Sequence, residues 1–337
     1  MHRPVVRSTG VDSAAGLKFQ YSFTSGQTAL AAVFGHCSGN TAGIEQRGRY
    51  ASSSGVGWDA SGKSPGSIAT GGVRAVAVVT TIAIIGVDCA AQAKNTGLAY
   101  AIPEGEKLAV HDARCASNDA TASSIIRDWV RDSRHVLLAL DAPLGWPTAF
   151  SHALATHRAG EPLRPTAHVM FRRMTDDLIS ERLGKRPLEV AADRIARAAH
   201  AALRLLEELR QSLAVELPLV WSPSWHGGLG AIEVYPAATR IALGVPQSRG
   251  SLSGLESRLS FGTMSPPASE HARDAVVCAV AAQEFLSGRA VAPTNAQMIQ
   301  ARQEGWIWAG PSSAQRALCL PAKCHPPAKP GTYLRFL

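Results

Sequence analysis

An α/β fold, with a mixed sheet flanked by helices, is predicted by three features of this 337-residue chain. The run from Ala75 to Val87 is almost purely apolar and rich in β-branched residues, the composition of a central strand buried on both faces. Two short strand-like segments follow it across tight turns and read as the rest of an antiparallel meander. Beyond them, strand-like runs alternate with helical periodicity, the pattern of βα units.

The first strand is predicted at about 76–87 and is too short to cross a bilayer, which takes roughly 20 apolar residues. Gly97-Leu-Ala-Tyr-Ala-Ile102 and Lys107-Leu-Ala-Val-His111 are the next two strands, separated by the Pro103-Glu-Gly-Glu106 turn. A helix is expected over Ala120–Arg131, with Ile125, Ile126, Trp129 and Val130 on its apolar side. His135–Leu140 is a fourth strand ending at Asp141, and Ala142-Pro-Leu-Gly-Trp-Pro147 breaks it. Residues 148–215 form a helical insertion. Its last part, Leu188–Val215, is one long helix with Ile195, Ala198, Ala202, Leu205, Leu206, Leu209 and Leu213 on one face. Residues 230–235 are the fifth strand, and Pro246–Pro267 is loop-like. A buried helix runs from Asp274, at its N-terminus, to Gly288, just past its end. Trp306 and Trp308 are expected to be packing anchors.

Charge separates the ends from the middle. The formal charge is +8, but residues 1–74 and 311–337 each carry a net +4, so residues 75–310 are neutral. The basic ends can hold polyanions non-specifically; they say nothing about an active site. Residues 1–74 are rich in Gly, Ser, Ala and Thr without a sustained period, which predicts a disordered or loosely ordered extension. Residues 311–337 read as a basic tail. Six scattered cysteines and the lack of a secretory leader pattern predict free thiols in a reducing, cytoplasmic compartment, with no membrane segment. Cys319, Cys324 and His325 lack the fourth ligand that a structural zinc needs.

The order β-β-β-α-β-α(insertion)-β-α is that of the ribonuclease H-like fold: a mixed five-stranded sheet, antiparallel through strands one to three, then parallel in strands four and five. In that arrangement Asp88, Asp141 and Glu233 sit at or near strand ends along one sheet edge, within reach of Asp274. Ligands of open α/β sheets bind beyond the carboxyl ends of the strands. Converging carboxylates repel one another, and a hard divalent cation with oxygen ligands relieves this. A pair of such ions suits hydrolysis of a phosphodiester. The expectation is therefore Mg²⁺ or Mn²⁺ held by Asp88, Asp141 and Asp274, with Glu233 as a fourth catalytic acid. Arg172, Arg173 and Arg182 are candidates for clamping a substrate phosphate.

Several short motifs in order carry a family resemblance. They are Gly86-Val-Asp-Cys-Ala90 with Thr96-Gly-Leu-Ala99, Asp141-Ala-Pro-Leu-Gly145, Arg172-Arg173 with Asp176, Glu233-Val-Tyr-Pro-Ala237, Asp274-Ala-Val-Val-Cys-Ala279 and Glu304-Gly-Trp-Ile307. Together, over roughly residues 80–310, they resemble the predicted ribonuclease H-like nucleases of domain of unknown function 429. The resemblance implies that fold and marks Asp88, Asp141, Glu233 and Asp274 as its acidic site, with nucleic acid or a phosphorylated nucleotide as substrate. Two other readings share the core. A sugar-kinase-type phosphotransferase needs a Gly- and Thr-rich turn after the first-strand Asp, whereas Cys89-Ala-Ala-Gln-Ala-Lys-Asn95 has no glycine. A non-catalytic nucleotide- or nucleic-acid-binding module would use the same cleft without turnover.

Overall fold

The computed structural model describes residues 81–312, except 132, 192 and 226. The expected extension 1–74, the start of the first strand, nearly all of the 311–337 tail, and Cys319, Cys324 and His325 lie outside the described residues.

Strand β1 (Ala83–Asp88) is buried along its whole length and sits inside the sheet. It pairs antiparallel with β2 (Gly97–Glu104), which pairs antiparallel with β3 (Lys107–Cys115). The two-residue turn Gly105-Glu106 joins β2 to β3, with Gly105 at φ 62°, as such hairpins require. Pro103 is tolerated within β2 because it pairs with β3 beyond the stretch that β1 occupies. On its other side β1 runs parallel to β4 (Val136–Asp141), and β4 parallel to β5 (Leu229–Glu233). Helix α1 (Ala122–Val130), capped by Thr121, forms the crossover from β3 to β4.

The sheet has six strands, not five, in the order β5-β4-β1-β2-β3-β6. The extra strand, β6 (Leu259–Ser260), is two residues long and lies in the tract expected to be loop. It runs parallel to β3 because Leu108 N–H donates to the Arg258 carbonyl at 2.8 Å and Leu259 is buried beside it. Two residues are too few to show alternation.

Helices α2 (Thr148–Ala155), α3 (Ala167–Phe171), α4 (Met174–Leu183) and α5 (Asp193–Leu213) fill the insertion between β4 and β5. Helix α5 starts five residues later than expected. Ala202, Leu205, Leu206 and Leu209 enter the core as predicted, together with α1 and one face of the sheet. Ile195 and Ala198 instead line a cleft beyond the sheet edge, and Leu188 precedes the helix. Two helices lay outside the sequence expectations: α6 (Pro236–Leu243), opened by Pro236 in its first turn, and α8 (Asn295–Glu304), capped reciprocally by Thr294 and Gln297.

The opposite face of the sheet is covered by α7 (Glu270–Leu286), buried nearly throughout. Its approach depends on two glycines. A Cβ on Gly86 would collide with the Ala275 carbonyl oxygen, and one on Gly97 with the His271 carbonyl oxygen. Both sites need glycine for close approach rather than for an unusual φ. At the end of α7, Phe285 meets Trp308 edge-on with ring centroids 4.6 Å apart. The Trp306 indole donates to the Val291 carbonyl at 2.9 Å, so both tryptophans anchor the end of the domain.

Candidate active site at the carboxyl edge of the sheet

Asp88 and Asp141 end adjacent parallel strands and stand directly opposite each other in register. Along β1, Ile84 and Gly86 face α7 while Ile85 and Val87 face α1 and α5. Alternation therefore aims Asp88 toward the α7 side, and the same parity in β4 (Leu137 and Ala139) places Asp141 beside it.

Helix α7 brings His271 and Asp274 to this edge. Asp274 lies in the second turn, not at the N-terminus as expected, because the helix begins at Glu270. One residue per hundred degrees puts His271 and Asp274 on one face. His271 Nδ1 is 2.6 Å from Asp88 Oδ2. An ionised carboxylate only accepts, so the proton of that bond belongs to Nδ1. Asp274 Oδ1 accepts from Arg240 Nη2 at 2.7 Å and from the Gly250 amide at 3.1 Å, while Arg249 Nε lies 3.5 Å from Oδ2. Two arginines thus neutralise Asp274.

Asp141 differs from both, since no hydrogen bond or ion pair to its carboxylate exists among the described residues. Burial pushes its carboxyl well above the ordinary value of 3.8, and Asp88 and Asp274 push it further. Burial also raises Asp88, with His271 opposing the shift. Sequence reading missed His271, Arg240 and Arg249, since no spacing pattern marks any of them.

A raised carboxyl has a definite stability consequence. The contribution of Asp141 is fully present below the unfolded-state value of 3.8 and is lost as pH rises through the folded-state value. In EDTA at pH 7.5, Asp141→Asn is expected to raise the melting temperature, by about 2–4 °C for each kcal/mol of strain relieved. At pH 3 the gain should vanish; an equal gain at both pH values would contradict this account of the site.

Glu233 lines the same cleft and adds to the upward push on Asp141, but its strand parity differs from that of Asp88 and Asp141. Ile232 and Val234 point into the α7-side core, so alternation turns Glu233 to the other face. There it meets Arg173, with Arg173 Nη2 to Oε1 at 2.8 Å and Nη1 to Oε2 at 3.0 Å. The Leu144 amide also donates to Oε2 at 3.0 Å. Burial pushes the Glu233 carboxyl up, and the arginine fork opposes it.

The arginine clamp is not formed. Nε and Nη2 of Arg173 also hold Asp176, and Nη1 holds the Glu304 carbonyl, so every guanidinium N–H is engaged and none remains for a phosphate. Arg172 is buried against Asp177, Ser180 and the Asp176 carbonyl. Arg182 is exposed on α4 and does not line the carboxylate cleft. Burial holds Cys89 and Cys278, beside the acids, well above the ordinary thiol range, with Asp141 and Asp88 adding to the effect. A thiol so protonated is a poor nucleophile.

The cleft containing Asp88, Asp141 and Asp274 measures about 380 Å³ and is walled by the insertion on one side. Among the described residues no three His, Cys, Asp or Glu side chains form a group that could hold a metal ion. Asp88 and Asp141 still offer adjacent oxygens and uncompensated charge. This fits Mg²⁺, which is commonly held by one or two carboxylates with water and substrate oxygens completing the shell.

Among the described residues no helix is long and apolar enough to cross a membrane. No curated protein matches this chain. Among solved structures, Thermus thermophilus RuvC is similar at 11% identity and a TM-score of 0.30, over 61% of this chain and 96% of that one. The family described as "Protein of unknown function (DUF429)" matches residues 86–298, well over half of the sequence, and the chain belongs to that family.

Proposed function

We propose that this protein is a divalent-metal-dependent hydrolase of phosphodiester bonds, with Mg²⁺ or Mn²⁺ held by Asp88 and Asp141. The observation that carries this reading is the in-register carboxylate pair, one member of which has no hydrogen-bond or ion-pair partner among the described residues and is pushed well up by burial and then by its acidic neighbours. The sheet order β5-β4-β1-β2-β3, with acids at the ends of β1 and β4, is the ribonuclease H-like arrangement that the sequence predicted.

A bound divalent ion supplies a more acidic water and charge stabilisation at the leaving oxygen. The chain's own contributions are distinct. Asp88 and Asp141 supply the oxygen ligands, and His271 fixes the orientation of the Asp88 carboxylate. Asp274 acts at one remove, holding buried Arg240 and exposed Arg249 beside the carboxylate pair. Glu233 and Arg173 tie the insertion to the sheet.

The direct test is cleavage of labelled single- and double-stranded DNA and RNA in Mg²⁺, Mn²⁺ and EDTA. Metal-dependent cutting is expected. A folded protein that cuts none of these polymers, nor a chromogenic phosphodiester, in either metal would overturn the hydrolase reading in favour of a binding module. A phosphotransferase is less well supported. The spacing Gly57-x-x-x-x-Gly62-Lys63-Ser64 does match a phosphate-binding loop. It follows a Ser- and Gly-rich stretch rather than the apolar strand that such a loop requires.

A further inference from the structure

The wall facing the carboxylates is apolar. Leu188 is 68% exposed, and it lines the cleft together with Pro187, Ile195 and Ala198 of the insertion. One exposed leucine is ordinary. A leucine grouped with three other apolar residues, in one cleft with a carboxylate pair, forms an apolar wall suited to a ligand with an apolar face.

The same cleft holds cationic groups. Arg240 is 2% exposed, and its buried Nε has no hydrogen-bond partner among the described residues. Arg249 and Lys185 also line the cleft, and Arg249 is an exposed cation whose partners are Glu270 and Asp274. The pair with Glu270 is exposed and contributes little, and buried Asp274 keeps Arg240 and the Gly250 amide when Arg249 turns to a ligand. Through Leu188, Ile195, Ala198 and Arg249 the cleft continues into an outer one of about 980 Å³ that carries Arg194 and Arg197.

We propose that this cleft binds a nucleoside phosphate unit, with the base against Leu188, Ile195 and Ala198 and the phosphate at the Asp88–Asp141 end. The substrate is then a single nucleotide or the unpaired end of a single strand, not the interior of a duplex. The placing of the phosphate rests on the divalent ion of the reading above, which offsets the two carboxylates, and its role in turnover rests on the hydrolase activity; nucleotide binding itself needs no turnover.

Three arguments favour this ligand. An inner cleft of about 380 Å³ is the size that takes one small molecule, for which the usual range is about 300–1,000 Å³. A duplex hides the faces of its bases, so it would leave the apolar wall unused. Single-strand binders, in contrast, combine cationic groups with aromatic side chains that stack on base faces; here aliphatic side chains take that place. The neutral net charge of residues 75–310 also offers little for tracking a long phosphate backbone.

The test is titration calorimetry of the full chain in Mg²⁺ with adenosine monophosphate, thymidine monophosphate, ribose 5-phosphate and a blunt DNA duplex. The nucleotides are expected to bind about tenfold or more tightly than ribose 5-phosphate. Leu188→Ser, at an exposed position outside the helices, should weaken nucleotide binding about fivefold and leave ribose 5-phosphate unchanged. Equal binding of nucleotide and sugar phosphate, binding of neither, or an unchanged Leu188→Ser variant would overturn the proposal. The cleavage assay keeps the two readings apart. Nucleotide binding without any cleavage supports this inference and ends the hydrolase reading. Cleavage inside a duplex as fast as at single-stranded ends does the reverse.

Discussion

Asp88→Asn is expected to lower metal-dependent phosphodiester hydrolysis by about 10³-fold or more, equivalent to about 4 kcal/mol of transition-state stabilisation. The exchange keeps the shape of the side chain and removes the charge that Asp88 presents beside Asp141. It also changes the partner of His271 Nδ1, which at 2.6 Å now faces an ionisable acceptor. Glu233→Gln makes the informative contrast. Glu233 reads in the sequence as a fourth catalytic acid, yet its oxygens are held by Arg173 and the Leu144 amide. Its loss should reduce the rate per folded molecule by about tenfold or less. Comparing kcat/KM for the two variants, after normalising to folded protein by circular dichroism, decides the matter. Comparable losses in both would return Glu233 to the reacting centre.

Arg173→Ala carries the largest expected cost in stability. Its guanidinium sits between Glu233 and Asp176, both almost wholly buried, and it also holds the Glu304 carbonyl. Burial pulls the arginine pKa down, but the two carboxylates outweigh this and hold it above the ordinary value. Removing one partner of such a network strands buried charge and costs about 3–5 kcal/mol. Adding Glu233→Gln should recover part of the loss, since one stranded charge is then gone. Urea unfolding of both variants, beside Arg204→Ala, measures the difference. Arg204 pairs with Glu208 on an exposed helix face, where removal costs about 1 kcal/mol or less. If Arg173→Ala proves as mild as Arg204→Ala, the network is not a structural anchor.

The strand order could be read from the sequence because burial on both faces leaves long apolar runs, as in Ala83–Val87 and Val136–Leu140. The acids ending those runs were legible for the same reason. The face that Glu233 takes was not legible, because Ala231-Ile-Glu-Val-Tyr gives the alternation but not which parity faces α7. Arg172 and Arg173 looked available because a sequence displays charges without their partners. Helix α8 left no stripe to find, as Ala301 and Glu304 are its only buried residues. His271, Arg240 and Arg249 reach the edge only through the docking of α7, α6 and the loop between α6 and β6, contacts that no local pattern encodes.

The distance along the chain between Asp88 and His271, 183 residues, also bears on how the protein is made. During synthesis the β1–β4 edge leaves the ribosome well before α7. Until α7 arrives, the sheet face that it covers is bare and Asp88 has no histidine beside it. The docking surface for that helix is set early, by Gly86 and Gly97, but the helix that completes the edge comes last. The carboxyl edge is therefore complete only once nearly the whole domain has been translated.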